Sequence, residues 1–327
     1  MNHSVLLQLA RGLGDAPHVA PFVGMKTFWA LALFFAIAVL CLGARIAHAD
    51  DADAKSAAGL RARYDGLQNQ LSHNQFQRPL YLDSSETSDS VTGDIYARVN
   101  YPFAVVRAAL NNPGDWCDIL ILHVNTKFCR AAPGSQAAVL NVSIGRKYDE
   151  PLEKAYRVDF AYRVTAQTAN YLRVALSADV GPFSTRDYRI VLEAIPLESG
   201  RTFIHFSYSY TYGLVGRLAL QAYLATIGRS KVGFAVVGTR PDGQPLHIGG
   251  IRGLVERNTM RYYLAIEAFL GAVSVPPQER LEQRLREWFA AIERYPHQLH
   301  EMEQGEYLDM KRKEYLRQQS GLRAPPA

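Results

Sequence analysis

The chain has 327 residues, 48% of them hydrophobic and 20% charged, and a formal net charge of +5. Setting residues 1–49 aside removes Arg11, Lys26 and Arg45 together with Asp15 and lowers that charge to +3, an excess too small for a dedicated nucleic-acid binder. What remains is long enough to bury a large core, either as one domain with additions or as two.

Met25 and Lys26 form a short basic start, Phe28 begins an uncharged apolar run that reaches Leu42, and Ala47-His48-Ala49 is a small-x-small sequence. This order predicts a secretory signal starting at Met25 and cut before Asp50, with residues 1–24 as an upstream extension. The run is shorter than the roughly 20 residues a spanning helix needs, and Arg45 interrupts its end. The expected address is the periplasm, or the extracellular space in a eukaryotic secretory route. In such an oxidising compartment the two remaining cysteines, Cys117 and Cys129, read as a disulfide. No metal-site spacing occurs, and no cofactor is expected.

Residues 50–80 form a polar leader with a peripheral helix predicted around 57–71, and residues 80–90 should be extended or loose. Val91, Gly93, Ile95, Ala97 and Val99 then alternate as a strand. Pro102 opens a short helix carrying Phe103, Val106, Ala109 and Leu110, Asn111-Asn112-Pro113-Gly114 stops it, and Asp115 is placed to cap a second turn through Trp116. From His123 onward the period changes to two. Leu140, Val142 and Ile144 share a face, as do Tyr156, Val158, Phe160, Tyr162 and Val164. The pattern continues through Leu172 to Leu176, Tyr188 to Leu192, and Ile204, Phe206, Tyr208, Tyr210 and Tyr212. Short turn-rich connections make these runs an antiparallel meander. Residues 213–228 are apolar almost all round, 232–239 read as a further strand, and Val255, Tyr262, Tyr263, Ile266, Phe269 and Val273 mark a long amphipathic helix ended by Pro276-Pro277. A polar helical tail occupies 274–327.

This order resembles the START-related lipid-transfer superfamily, the helix-grip fold known also from the birch-pollen allergen and polyketide cyclases. The resemblance rests on the first strand followed by Tyr101-Pro102-Phe103-Ala104-Val105-Val106, the Asp115-Trp116 turn, the meander to Tyr212 and the helix through Arg261-Tyr262-Tyr263, and it covers residues 81–273. It implies an α+β fold, a seven-stranded antiparallel sheet wrapped around a long C-terminal helix. It also implies a cavity between them for a sterol, lipid or polyketide-like molecule. The chain departs from simple members by an insertion over 213–252 and by its tail.

The expected ligand pocket combines Tyr156, Phe160, Tyr162, Phe206, Tyr208, Tyr210 and Tyr212 of the sheet with Tyr262 and Ile266 of the helix; ordinary core is the competing reading of the same rings. Residues 213–231, with Arg229 and Lys231 at the end, suit either a bilayer-docking helix or one packed on the sheet. Trp116 is read as an anchor for its turn. Arg252, Arg257 and Arg261 lie on or near the long helix, where one meets a ligand carboxylate or phosphate or, by default, solvent and salt bridges. Catalytic motifs are missing, and acid–base work would need His123, His205 or His247 to converge with Asp118, Asp159 or Glu193. The leading expectation is therefore binding or transfer of an apolar ligand. The alternatives are a cyclase-type enzyme using the same chamber, or a non-catalytic envelope interaction protein with a filled core.

Overall fold

Alternation of apolar and polar residues builds one twisted sheet whose inner face is the floor of the molecule. The computed structural model describes residues 56–135, 137–226, 228 and 231–321; the predicted signal and its cleavage site lie outside them. The elements are α1 (56–66), α2 (Gln68–Ser72), β1 (Leu80–Glu86), β2 (Ser90–Val99), α3 (Phe103–Leu110), α4 (Pro113–Leu120), β3 (Thr126–Ala132), β4 (Ala138–Ile144), β5 (Tyr156–Gln167), β6 (Leu172–Val180), β7 (Thr185–Pro196) and β8 (Thr202–Tyr212). There follow α5 (Leu214–Ala225), a ribbon of β9 (Val236–Thr239) and β10 (Pro245–His247), the long α6 (Gly250–Gly271), then α7 (Arg280–Ile292), α8 (Pro296–Leu299) and α9 (Gln304–Gln319).

The main sheet has the order β1-β2-β8-β7-β6-β5-β4-β3, with every neighbouring pair antiparallel. The meander from β3 to β8 closes against β2, with Ile95 opposite Phe206 and Gly93 opposite Tyr208. Helices α3 and α4 carry the chain from β2 to the far edge, and α6 returns across the inner face. This is a helix-grip architecture. It has eight strands, because residues 80–86, expected to be extended or loose, form β1, a hairpin partner that places Leu80 opposite Ala97. Gly93 allows the helix to sit close: a Cβ there would overlap the hydroxyl of Thr259 on α6.

Asn112, not Asp115, caps α4, its side-chain oxygen accepting from the Gly114 amide at 2.9 Å. Trp116 anchors that turn by donating its indole N–H to the Leu110 carbonyl at 2.8 Å. Cys117 and Cys129 stand with sulfurs 1.98 Å apart and Cα atoms 5.1 Å apart, joining α4 to β3.

The leader helix, read as peripheral, and the polar tail both pack into the fold. Leu60, Leu67 and Leu71 of the leader helices cover the outer face of the sheet against Tyr171, Ile195 and Phe203. The tail is polar in average composition, yet its apolar residues fall on one face. Leu285, Trp288, Ile292, Leu299 and Tyr307 are all buried in the same core cluster as α6 and the sheet. Tyr307 stacks on Trp288 at 5.0 Å and donates to the Leu122 carbonyl at 2.9 Å.

Candidate functional site

The space between α6 and the sheet is lined by tyrosines because β7 and β8 place aromatic residues at inward positions. Tyr208 meets Tyr188 (6.2 Å between centroids), Tyr210 (5.8 Å) and Tyr262 (5.4 Å), while Tyr188 stacks on Tyr210 at 5.2 Å and takes Phe160 edge-on at 6.3 Å. Burial pushes the Tyr188 hydroxyl up to about 12 and the Tyr208 hydroxyl well above its ordinary value, so both stay protonated donors at neutral pH. Much of the grip is thus occupied by the protein's own rings.

It is not sealed. Tyr262 projects inward over Phe206 and Tyr208, yet it is only half-buried, and so are Leu254 and Asn258, eight and four residues before it. Their helical neighbours Val255, Thr259 and Tyr263 are buried. Leu254, Asn258 and Tyr262 thus form a stripe of α6, one residue wide and three positions long, that is less completely covered than the residues beside it. His123, from the turn after α4, stacks on Tyr262 at 4.7 Å. Its Nδ1 accepts from the Asn125 amide at 3.2 Å, which puts the proton of a neutral ring on Nε2. That buried Nε2 makes no well-formed hydrogen bond among the described residues, although Asn258 lies close enough to favour the charged ring slightly. Burial, then the nearby Arg261 and Lys311 charges, hold His123 well below the ordinary histidine value, so the ring is neutral.

The predicted lining residues divide. Phe160, Tyr162, Phe206, Tyr208, Tyr210 and Tyr262 converge on the grip. Tyr156 opens β5 and is 43% exposed, although it lies within electrostatic reach of Tyr188. Tyr212 closes the sheet edge, its hydroxyl reaching Glu86 at 3.4 Å and the Thr87 carbonyl at 3.3 Å. Ile266 is fully buried in helix packing. Tyr188, His123, Asn258 and Leu254 were not in the predicted pocket; the inward alternation of β7 marked Tyr188, and nothing local marked the others. A separate open depression of about 470 Å³ beside β5 is lined by Ala137, Tyr162, Arg163, Val164 and Thr165, and shares only Tyr162 with the grip.

One histidine does meet carboxylates, but on the outer face of the sheet. His205 Nδ1 lies 2.9 Å from Glu193 and Nε2 lies 2.8 Å from Asp94, with Tyr96 stacked over the ring at 4.4 Å and Tyr171 donating to Glu193. Burial works against its charge, yet the two carboxylates raise its pKa. Both ring nitrogens are engaged, so His205 has no lone pair to offer a substrate. Among the described residues no cluster has metal-ligand geometry.

Helix α5 turns its apolar residues outward. Leu214, Val215 and Leu218 are 74%, 68% and 57% exposed, whereas Gly216 and Leu220 face the protein. Exposed Phe183, in a turn with positive φ, stands beside this helix at 6.1 Å from Tyr223.

No protein-family model matches the chain, and no curated protein sequence does. Among solved structures it is similar to norcoclaurine synthase from Thalictrum flavum, with 13% identity over 44% of this chain and 89% of that one and a TM-score of 0.31. It is also similar to Ara h 8.0201, with 12% identity over 59% and 99% and a TM-score of 0.33. A third is the ZhuI aromatase/cyclase from a Streptomyces species, with 11% identity over 46% and 88% and a TM-score of 0.28. At these scores no residue role transfers. The helix-grip assignment rests on the strand order and on α6 lying across the sheet.

Proposed function

We propose that the protein binds an apolar small molecule between α6 and the tyrosine-lined sheet, within the envelope or outside the cell after cleavage before Asp50. The half-buried stripe Leu254, Asn258 and Tyr262 on an inward helix face carries this reading. Removing ligand surface from water supplies the affinity, about 25 cal/mol per Å² before ordering costs. Tyrosine hydroxyls and the His123 N–H are donors for a polar end. Native mass spectrometry with solvent extraction of the folded mature chain is expected to reveal a bound or exchangeable apolar molecule. Replacing Tyr208 with Trp should lower uptake roughly tenfold by filling the space, about 1.4 kcal/mol. Unchanged uptake in that variant, or none in the wild type, would remove the grip from consideration.

A second activity is supported by the outward face of α5: peripheral contact with a bilayer through residues 213–231. Leu214, Val215, Leu218 and Phe183 present apolar surface that the fold leaves uncovered. Vesicles of phosphatidylethanolamine and phosphatidylglycerol should co-sediment with the protein. The double change Leu214→Asp and Leu218→Asp should weaken that binding by ~100-fold, about 2.7 kcal/mol, without shifting the melting temperature. Equal sedimentation of both proteins would refute the docking role.

A further inference from the structure

The helix that closes the grip carries two arginines one turn apart, Arg257 and Arg261, and both are only 2% exposed. By composition such residues default to solvent or to salt bridges; the structure gives them neither in full. Arg261 donates to Glu301 at 2.5 Å and to the Leu299 carbonyl at 3.3 Å, and its Nε has no partner. Arg257 makes no hydrogen bond or ion pair with any described residue, and its buried Nη1 is unmatched.

The counter-charge is short. Glu301 is shared among Arg261, Lys147 at 2.7 Å and Lys231 at 3.5 Å, and Arg257 feels it and Glu256 only from further off. Glu256, next in sequence to Arg257, is committed elsewhere, accepting from the amides of Phe234 at 2.6 Å and Ala235 at 2.9 Å and from Ser84. A buried guanidinium without an acceptor costs several kcal/mol unless something else supplies the charge.

We infer that Arg257 and Arg261, backed by Lys147 and Lys231, form the oxyanion-binding end of the ligand site, so that the apolar molecule held in the grip is an amphiphile with a carboxylate or phosphate head. This rests on the proposed ligand-binding function. The electrostatic signature agrees with the geometry. Burial, then the adjacent Arg261, draws Arg257 down to about 10, and burial draws Lys147 down to about 8. Both shifts arise first from burial of the cationic group. Burial opposes the ionised form of Glu301, yet Arg261 and Lys147 still hold its carboxyl below the usual range. The cluster also lies near the tyrosine lining: Arg257 is within electrostatic reach of Tyr210, and Arg261 of Tyr262 and His123. Planar guanidinium donors match either head group in a bidentate manner.

The test compares dodecanoate, dodecyl phosphate and dodecanol, which share one alkyl chain, by calorimetric titration of the mature wild-type protein at fixed ionic strength. An anionic head should improve affinity by about 10–100-fold over the alcohol, the span expected of charge-assisted hydrogen bonds. The better of the two anions identifies the head group. In Arg257→Met the advantage of the anionic heads should fall by about tenfold. Equal binding of all three compounds overturns the anion site and leaves the apolar site standing; binding of none overturns both. Because the head-group comparison is made on wild-type protein, it decides the matter even if Arg257→Met does not fold. In that case Arg257→Lys, which keeps the charge and loses the fork, should retain part of the preference; a preference equal to that of the wild type would exclude bidentate recognition by Arg257.

Discussion

A chain ending after Pro276 is expected to lose cooperative folding altogether. Helices α7, α8 and α9 look dispensable by composition, but their apolar side chains finish the core on the side of α6 that faces away from the sheet. Trp288 donates to the Arg261 carbonyl at 3.0 Å, and Tyr307 ties α9 to the turn after α4. Each large apolar side chain contributes roughly 1.5–3 kcal/mol on full burial. Losing Leu285, Trp288, Ile292, Leu299 and Tyr307 therefore removes about as much as the ~5–15 kcal/mol that keeps an ordinary domain folded. Circular dichroism melting and size-exclusion chromatography of the truncated mature chain should show a broad, non-cooperative transition and an expanded or aggregated species. A sharp transition at the wild-type temperature would mean that the tail is an appendage after all, available for partner binding by itself.

The second large effect concerns a knot of buried charge beneath His123. Glu314 on α9 takes Lys127 at 2.9 Å on one carboxylate oxygen and Lys311 at 2.7 Å on the other, and all three side chains are 0–1% exposed. The ammonium groups are otherwise satisfied by carbonyls: Lys127 donates to Val124 at 3.2 Å and Tyr148 at 3.0 Å, Lys311 to His123 at 2.6 Å and Thr126 at 2.8 Å. Glu314→Ala removes the one negative charge and strands two positive ones. Breaking a buried pair in this way costs about 3–5 kcal/mol.

The loss should depend on pH in a defined direction. Burial draws Lys311 down from 10.5 to about 8 in the folded protein. Between those values the unfolded chain binds more protons than the folded one, so stability rises as pH is raised from 8 toward 10; below 8 the cost is constant. Without Glu314 the folded-state value drops further, and relief begins at lower pH. Urea unfolding at pH 7 and pH 9 should thus show a smaller deficit for Glu314→Ala at pH 9. A deficit under about 1 kcal/mol, or one independent of pH, would place the knot in contact with water rather than in the core. The same knot positions the His123 carbonyl and hence its ring over Tyr262, so ligand uptake should fall with stability.

How much of this was legible in the amino-acid order varies with the range of the interaction. Period-two alternation in residues 138–212 was enough for the antiparallel meander, since side-chain direction along a strand is a local property. Turn chemistry likewise marked the ends of α3 and α6. The edge strand β1 escaped because its polar and acidic residues 83–86 lack that alternation; its pairing with β2 supplies what its side chains do not signal. Tyr156 and Phe160 cannot be told apart by period: they share a face of β5, and only packing such as the edge-on Tyr188 ring on Phe160 buries the second while the first stays exposed.

By itself, then, the sequence determined the fold class, the inward face of β8 with its tyrosines, the long helix opposite it, and Cys117 and Cys129 as the candidates for pairing. Tertiary structure alone decided that the tail belongs to the core, that α5 faces outward, and that Arg257 and Arg261 are buried with too few acceptors. The reason is physical: alternation and capping are set by residues a few positions apart, whereas burial and counter-charge depend on groups tens to hundreds of positions away, such as Glu301 for Lys147 and Glu314 for Lys127.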